Sequence, residues 1–142
     1  MVKVQPVDTS YISQVWPMVE GYLQDSLDKG GEACGGVNCY NIHHIQMFLT
    51  TGQWLLLVAT DENEKIQGAM TVSFMNYPMQ RIAFITLTGG RFVINDETYQ
   101  QLEVILRQRG ATVVQAYVRK SVERLLSKQG FTPITTLVEN KL

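Results

Sequence analysis

The chain has 142 residues, 45% of them hydrophobic and 18% charged, a composition typical of one globular domain and not of a disordered chain. Its formal net charge of −1 gives no electrostatic basis for binding nucleic acid or an anionic membrane, and no apolar run reaches the length of a membrane span. The amino terminus lacks the apolar core of a secretory signal, and two cysteines do not make a disulfide scaffold, so we expect a cytoplasmic protein.

The first third of the chain is predicted to form a strand and two helices. Apolar and polar residues alternate over 2–7, as in a half-buried strand. An amphipathic helix is predicted over 12–27, with a kink or a restart at Pro17. The glycine-rich segment 29–41 is a predicted loop, and a short second helix is predicted to end at Gly52.

The rest of the chain alternates strands with helices. The run 54–59 is continuously apolar, which is typical of a strand buried on both faces. Further strands are predicted at 66–74, 81–88, 112–118 and 131–139, and further helices at 96–109 and 121–129. Gly68, inside one of these strands, indicates a bulge or a close backbone approach. This order predicts an α+β fold, a single domain over 1–142 with a mixed central sheet flanked by helices.

The element order and the last predicted helix resemble the GNAT superfamily of acyl-CoA-dependent N-acetyltransferases. The chain keeps Leu125, Lys128, Gly130 and Phe131 at the spacing found in that family. It has Leu126 where the family often has a tyrosine that protonates the departing thiolate of coenzyme A. Leucine has no proton to donate, so the resemblance implies the fold more strongly than the activity.

The resemblance implies that the fourth and fifth strands run parallel and separate near Thr88 and Tyr117. Tyr117 is therefore our predicted catalytic residue, as a substitute donor of the proton that Leu126 cannot supply. The fourth strand contains no acid that would accept a proton from the attacking amine. Glu20 and Glu32 are the candidate bases, although solvated surface glutamates are the simpler interpretation.

The resemblance also implies an acetyl-CoA site at the end of the fourth strand, where backbone N–H groups of the family hold the pyrophosphate. We expect the main chain near Leu87 to bind the pantetheine arm, and the turn that follows it to bind phosphates. The predicted binding residues are Leu87, Thr88, Gly89, Gly90, Arg91 and Arg119. Their spacing differs from the family motif, and a glycine turn before a capped helix is the alternative interpretation.

Three dipeptides resemble the GNAT-like proteins of tailed bacteriophages: Trp16-Pro17, Tyr77-Pro78 and Gly89-Gly90. Two functions therefore remain open. The first is acetyl transfer from acetyl-CoA to a small-molecule or protein amine. The second is a non-enzymatic virion or assembly protein that binds phage structural proteins. The sequence indicates neither the acceptor nor the oligomeric state.

Four potential metal ligands, Cys34, Cys39, His43 and His44, lie within eleven residues. Thiolates and imidazoles are ligands that zinc prefers. Their spacing matches no common zinc module, and a histidine pair at the start of a helix is an ordinary structural feature. We therefore predict no metal site.

Overall fold

The computed structural model describes residues 2–30 and 39–142. Its strands are β1 (Lys3–Val7), β2 (Trp54–Thr60), β3 (Ile66–Asn76), β4 (Arg81–Gly90) and β5 (Val113–Ala116). Its helices are α1 (Ile12–Gly30), α2 (Ile42–Thr50), α3 (Asp96–Gln108) and α4 (Lys120–Ser127), and a short 3-10 turn, Thr9–Tyr11, precedes α1. The predicted α+β class is confirmed. None of the helices in this described part is both long and apolar enough to cross a membrane.

The strands form one sheet in the order β1-β2-β3-β4-β5. Neighbouring strands are antiparallel from β1 to β4, whereas β4 and β5 are parallel. The predicted mixed sheet is thus confirmed. The parallel pair needs a long crossover connection, which α3 supplies.

Both faces of the sheet are covered, and the side chains of β2 show why. Leu56 and Val58 pack in a core cluster with α1 and α2, whereas Leu57 and Ala59 pack in a second cluster with α3. Successive side chains of a strand point to opposite faces, so a strand between two helical layers must be apolar at every position. The prediction from the continuous apolar run is confirmed.

Helix α1 starts from a capped turn and runs through its proline. The Asp8 carboxylate accepts a hydrogen bond from the Ser10 N–H at 2.9 Å, and this bond lowers the pKa of Asp8 below its ordinary value. The helix continues without a break past Pro17, so of the two predicted alternatives the restart is wrong and the kink stays a prediction. Trp16 and Val19 are buried on either side of the proline, and their packing holds the helix on the sheet despite the missing backbone hydrogen bond.

The sixth strand predicted at 131–139 is also wrong. Residues 131–142 have no regular secondary structure and pair with none of the described strands. Ile134 and Val138, two apolar residues of this segment, are exposed. Strand propensity describes how well a residue fits a half-buried pleated surface, and it forms a strand only where a partner edge is reached.

Candidate functional site

Strands β4 and β5 are paired over only part of their length. Their register runs from Ile82 opposite Val113 to Ile85 opposite Ala116. Beyond that point β5 ends, whereas β4 continues as far as Gly90 alongside β3. The strands are therefore parallel and then separate, which confirms the predicted separation close to Thr88 and Tyr117. The separation leaves a cleft beside the second half of β4.

A bulge in β4 marks the start of the cleft. Leu87 lies opposite Thr71 and Ile85 lies opposite Val72, so Thr86 between them has no partner residue on β3. The Thr86 hydroxyl instead donates to the Thr71 carbonyl at 3.0 Å and lies 2.6 Å from the Thr71 hydroxyl. A bulge bends the strand that carries it and increases its local twist. This bulge follows directly after Ile85, the last residue of β4 that pairs with β5.

A cavity of about 220 Å³ lies at this separation. Its lining consists of Tyr40, Ser73, Met75, Phe84, Ile85, Thr86 and Tyr117. The lining side chains are apolar, aromatic or hydroxyl-bearing, and none carries a formal charge. The cavity can therefore hold a small group of low charge. None of the described residues that line it has a carboxylate that could stabilise a bound cation.

Tyr117 lies directly after the last residue of β5, at the mouth of the cleft. Its ring makes an edge contact with the ring of Phe84, with 4.9 Å between the centroids. The side chain is 55% exposed, so the phenol can reach a ligand in the cleft. Tyr117 thus lines the cavity at the end of the β4–β5 pairing, and its catalytic role stays a prediction.

The glycine pair of β4 lies against α1 and β3. A Cβ on Gly89 would lie 2.0 Å from the carbonyl oxygen of Tyr22, and one on Gly90 would lie 2.6 Å from that of Gln67. Gly90 also has a φ of +70°, which favours glycine. Opposite them a Cβ on Gly68 would lie 2.7 Å from the Gly89 oxygen, which confirms the predicted close backbone approach. All three glycines are needed for packing, whether or not a ligand binds.

Two N–H groups of the predicted phosphate turn have partners inside the protein. Arg91 donates its N–H to the Gln67 carbonyl at 2.8 Å, on the β3 side. Thr88 donates its N–H to the Ser26 hydroxyl of α1 at 3.2 Å. Successive N–H groups of a strand point to its two opposite edges in turn. The Thr88 N–H points to the edge of β4 that β5 leaves unpaired. Ser26 therefore covers part of this edge, and a ligand there would replace the Ser26 hydrogen bond.

Leu87 and the start of α3 have structural roles of their own. The Leu87 side chain is buried in the core, so only its main chain is available to a ligand. At the start of α3, Asn95 and Thr98 bond each other reciprocally as a capping box. Asp96 and Glu97 follow in the first turn, where their charges suit the positive end of the helix. This helix end is stabilised without a bound phosphate.

Arg119 connects the start of α4 to the end of α1. Its guanidinium donates a hydrogen bond to the carbonyl of Lys29, one of the terminal carbonyls that α1 cannot satisfy by itself. The predicted phosphate ligand is thus a helix cap in this structure. This bond uses one nitrogen of the guanidinium, and the other N–H groups of Arg119 could still donate to a phosphate.

Leu126 is buried, whereas its neighbour Leu125 is 58% exposed. The position where the family often has its tyrosine therefore faces the core. The Leu126 carbonyl also accepts the N–H of Phe131, which closes the turn after α4. Leu126 acts as a packing residue and not as part of the cleft.

The remaining predicted residues either do not line the cavity or lie outside the described residues. Glu20 is on the exposed face of α1, and Glu32 lies outside the described residues. Cys34 also lies outside them, and the ring of His44 accepts the Asn41 N–H in the cap of α2. The part of the chain that is described contains no group of three potential metal ligands.

Sequence reasoning missed Tyr40, Ser73 and Thr86 as cleft residues. No sequence signal marked them, because the bulge and the position of the segment before α2 depend on tertiary contacts. Ser26 was missed for the same reason, although it falls on the partly buried side of α1.

A second cavity, of about 240 Å³, lies at the other end of the sheet. Arg81 lines it, but this side chain already has partners. Its guanidinium donates to the Arg109 carbonyl and to the Asn76 side chain, and lies 4.3 Å from the centre of the Phe74 ring. These contacts make the arginine a link between β3, β4 and the end of α3.

No protein-family model matches the sequence, and no curated protein matches it. Solved structures do match the fold. One is a "predicted acetyltransferase" from Clostridium acetobutylicum with acetyl-CoA, at 16% identity and a TM-score of 0.64, over 99% of this chain and 96% of that one. A second is an aminoglycoside acetyltransferase from an uncultured soil metagenomic sample in complex with sisomicin. It has 14% identity and a TM-score of 0.65, over 99% of this chain and 96% of that one.

A third match is a GCN5-related N-acetyltransferase from Ralstonia eutropha, at 11% identity and a TM-score of 0.68, over 99% of both chains. Identities this low establish a shared fold and not a shared activity. The matches extend over nearly the whole of both chains, as expected for one domain. The chain has the fold of the GNAT acetyltransferases.

Proposed function

We propose that this chain is an N-acetyltransferase that moves the acetyl group of acetyl-CoA to an amine in the cleft between β4 and β5. The observation that supports the proposal is the parallel pair that separates at Ala116, with Tyr117 at its mouth. A structure of the same fold contains acetyl-CoA. Charge and composition are consistent with a small-molecule or peptide amine as acceptor and with a cytoplasmic location.

The proposed reaction is a direct attack of the neutral amine on the thioester carbonyl. A C–N bond forms, the C–S bond breaks, and the thiolate leaves with the bonding electrons. The phenol of Tyr117 donates its proton to that thiolate, while water accepts the proton released by the amine. The main chain of β4 beyond the bulge at Thr86 has no β5 partner, and we propose that it aligns the pantetheine arm.

Acetyl-CoA should stabilise the protein against unfolding. At 100 times its dissociation constant, a ligand that binds only the folded state adds about 2.7 kcal/mol. Arg119→Ala should weaken binding about tenfold, because a charge-assisted hydrogen bond to phosphate would be lost. Arg124→Ala, an exposed substitution in α4, the helix that follows Arg119, is the matched control and should leave the affinity unchanged. Thermal denaturation with acetyl-CoA and with free coenzyme A measures both effects.

The lining of the cavity favours an acceptor with one amine on an apolar or aromatic group. The lining side chains carry no negative charge that would stabilise a polycation. We expect kcat/KM for phenethylamine to exceed that for sisomicin by at least about tenfold, which is 1.4 kcal/mol of discrimination. Equal or reversed values would show that the acceptor binds elsewhere, while leaving acetyl transfer itself intact.

A non-enzymatic role is the second candidate, and specific contacts favour it. The N–H groups of Thr88 and Arg91 and the guanidinium of Arg119 are bonded within the protein, and Leu126 is buried. A phage virion or assembly protein that reuses the fold would need only these structural contacts and no ligand site. Absence of any stabilisation by millimolar acetyl-CoA would count against acetyl transfer and in favour of a non-enzymatic role.

A further inference from the structure

Two arginines line the cavity of about 240 Å³ at the end of the sheet away from the cleft. Arg81 is the first residue of β4, and Arg109 directly follows α3. The Arg81 side chain donates through Nε to the Arg109 carbonyl at 2.9 Å, so the two residues are direct neighbours in space. None of the described residues that line this cavity is an acid. The cavity therefore combines two positive charges with no negative one.

Two carboxylates on the segments that form the cavity have other partners. Asp8, which precedes the lining residue Thr9, accepts from the N–H and the hydroxyl of Ser10 at 2.9 and 2.7 Å. Glu103 of α3 pairs with Arg107 at 2.8 Å. Neither arginine of the cavity forms an ion pair with any residue in the described ranges, and both are half-buried. Charges interact more strongly there than in bulk water, so both arginines would stabilise an anion in the cavity.

Both guanidiniums keep N–H groups for a ligand, since each arginine has five. Arg81 uses Nε for the Arg109 carbonyl and one N–H of Nη1 for the Asn76 side chain, and it lies over the Phe74 ring. Arg109 donates through Nη1 to the Ile105 carbonyl at 3.2 Å. Within the part of the chain that is described, the Nη2 group of each arginine has no bonding partner. The existing contacts hold the guanidiniums in place, which lowers the entropic cost of binding.

The rest of the lining is mainly apolar and comes from both core layers. Trp54 and Leu49 belong to the cluster under α1 and α2, whereas Phe74 and Leu55 pack against the cluster under α3. The apolar side chains of the lining are Val7, Ile12, Leu49, Trp54, Leu55 and Phe74. Ligand pockets commonly combine such walls with a few polar groups that orient the ligand, and drug-sized ligands need about 300–1,000 Å³. The occupant of this smaller cavity is therefore a small molecule with an apolar part.

We propose that this cavity binds a small carboxylate with an apolar or aromatic body, held by Arg81 and Arg109. The planar fork of a guanidinium matches the two oxygens of a carboxylate. The site is separate from the cleft. Phe74 lines it, whereas Ser73 and Met75 line the cavity at the cleft, and successive side chains of a strand point to opposite faces. Binding here does not depend on acetyl transfer.

Calorimetric titration of the full chain with phenylacetate tests the chemistry of the ligand. Phenylacetate should bind with a dissociation constant of about 1 mM or lower. Phenylacetamide has the same shape without the charge, and acetate has the charge without the ring, so each should bind at least about tenfold more weakly. Coenzyme A at 1 mM should not change the affinity for phenylacetate. No binding, equal binding of either analogue or of inorganic phosphate, or displacement by coenzyme A would overturn the proposal.

Arg109→Ala tests the arginines and should weaken phenylacetate binding at least about tenfold, because a charge-assisted hydrogen bond is lost. The carbonyl that accepts from Arg81 is main chain and stays in the variant. Arg107→Ala is the matched control, because Arg107 is an exposed residue in the last turn of α3 and does not line the cavity. Its affinity should equal that of the unmodified chain. An Arg109→Ala variant of undiminished affinity would contradict the assignment.

Backbone amide NMR spectra of the unmodified chain locate the site without any substitution. Phenylacetate should move the amide signals of Gly52 and Leu55, which line the cavity. The signals of Thr88 and Gly90, beside the cleft, should stay in place. Shifts at Thr88 and Gly90 with none at Gly52 and Leu55 would place the carboxylate in the cleft and overturn the proposal.

Discussion

Gly89→Ala is expected to destabilise the protein by about 3 kcal/mol or more, the upper end of the cost of overpacking a core. The new Cβ would lie 2.0 Å from the carbonyl oxygen of Tyr22 and 2.6 Å from its carbonyl carbon. Both atoms are backbone of α1, so a side-chain rotation cannot relieve the contact. The helix and the strand would have to separate, and urea denaturation measures the loss.

Gly21→Ala is the matched control, because this glycine is the neighbour of Tyr22 in the same helix. A Cβ there meets no atom within 4 Å, and the residue is exposed. Alanine is better than glycine inside a helix by roughly 0.5–1 kcal/mol, so this variant should be more stable than the unmodified chain. Equal stability of the Gly89 and Gly21 variants would show that α1 does not lie against β4 as described.

Tyr117→Phe is expected to lower kcat of the proposed acetyl transfer by about 10²–10⁴-fold, the usual contribution of a positioned acid. The phenylalanine ring keeps the contact with Phe84, so the cleft should keep its shape and KM for acetyl-CoA should change little. Initial rates measured by thiol release at several acetyl-CoA concentrations separate the two constants. Loss of kcat without loss of affinity is the signature of a proton donor.

Tyr77→Phe controls for the general effect of removing an exposed phenol. Tyr77 is 57% exposed, close to the 55% of Tyr117, but lies in the turn before β4. Its variant should turn over at the rate of the unmodified chain. A Tyr117→Phe variant with an undiminished rate would assign the protonation of the thiolate to water or to another side chain.

Burial was predicted well for residues in segments with a clear spacing of apolar side chains. The helical period of α1 and the continuous apolar run of β2 gave the layers of the fold, because burial on one face or on two imposes a distinct spacing of apolar residues. The parallel pairing of β4 and β5, and its end near Tyr117, were expected from the resemblance of the element order to a known family and not from the residues of those strands.

The cleft itself was predicted only in outline. Tyr117 was predicted near the end of the fifth strand and lies directly after β5, while its catalytic role stays a prediction. Thr86 was missed, since a bulge depends on the register between β3 and β4, and register is a property of two strands together. The roles of Gly89 and Arg119 also depend on a second part of the chain. Each residue contacts the backbone of α1, which lies more than fifty residues earlier in the sequence.

Local sequence thus determined the class of fold, the order of its elements as far as α4 and the core faces of its helices, all of which depend on short-range periodicity and burial. Tertiary structure alone decided which glycines contact backbone, that Leu126 faces the core and that residues 131–142 reach no edge within their own chain. Residues 131–142 show the reason most clearly. Their β-branched residues are compatible with a strand, but a strand exists only where a second backbone satisfies its hydrogen bonds.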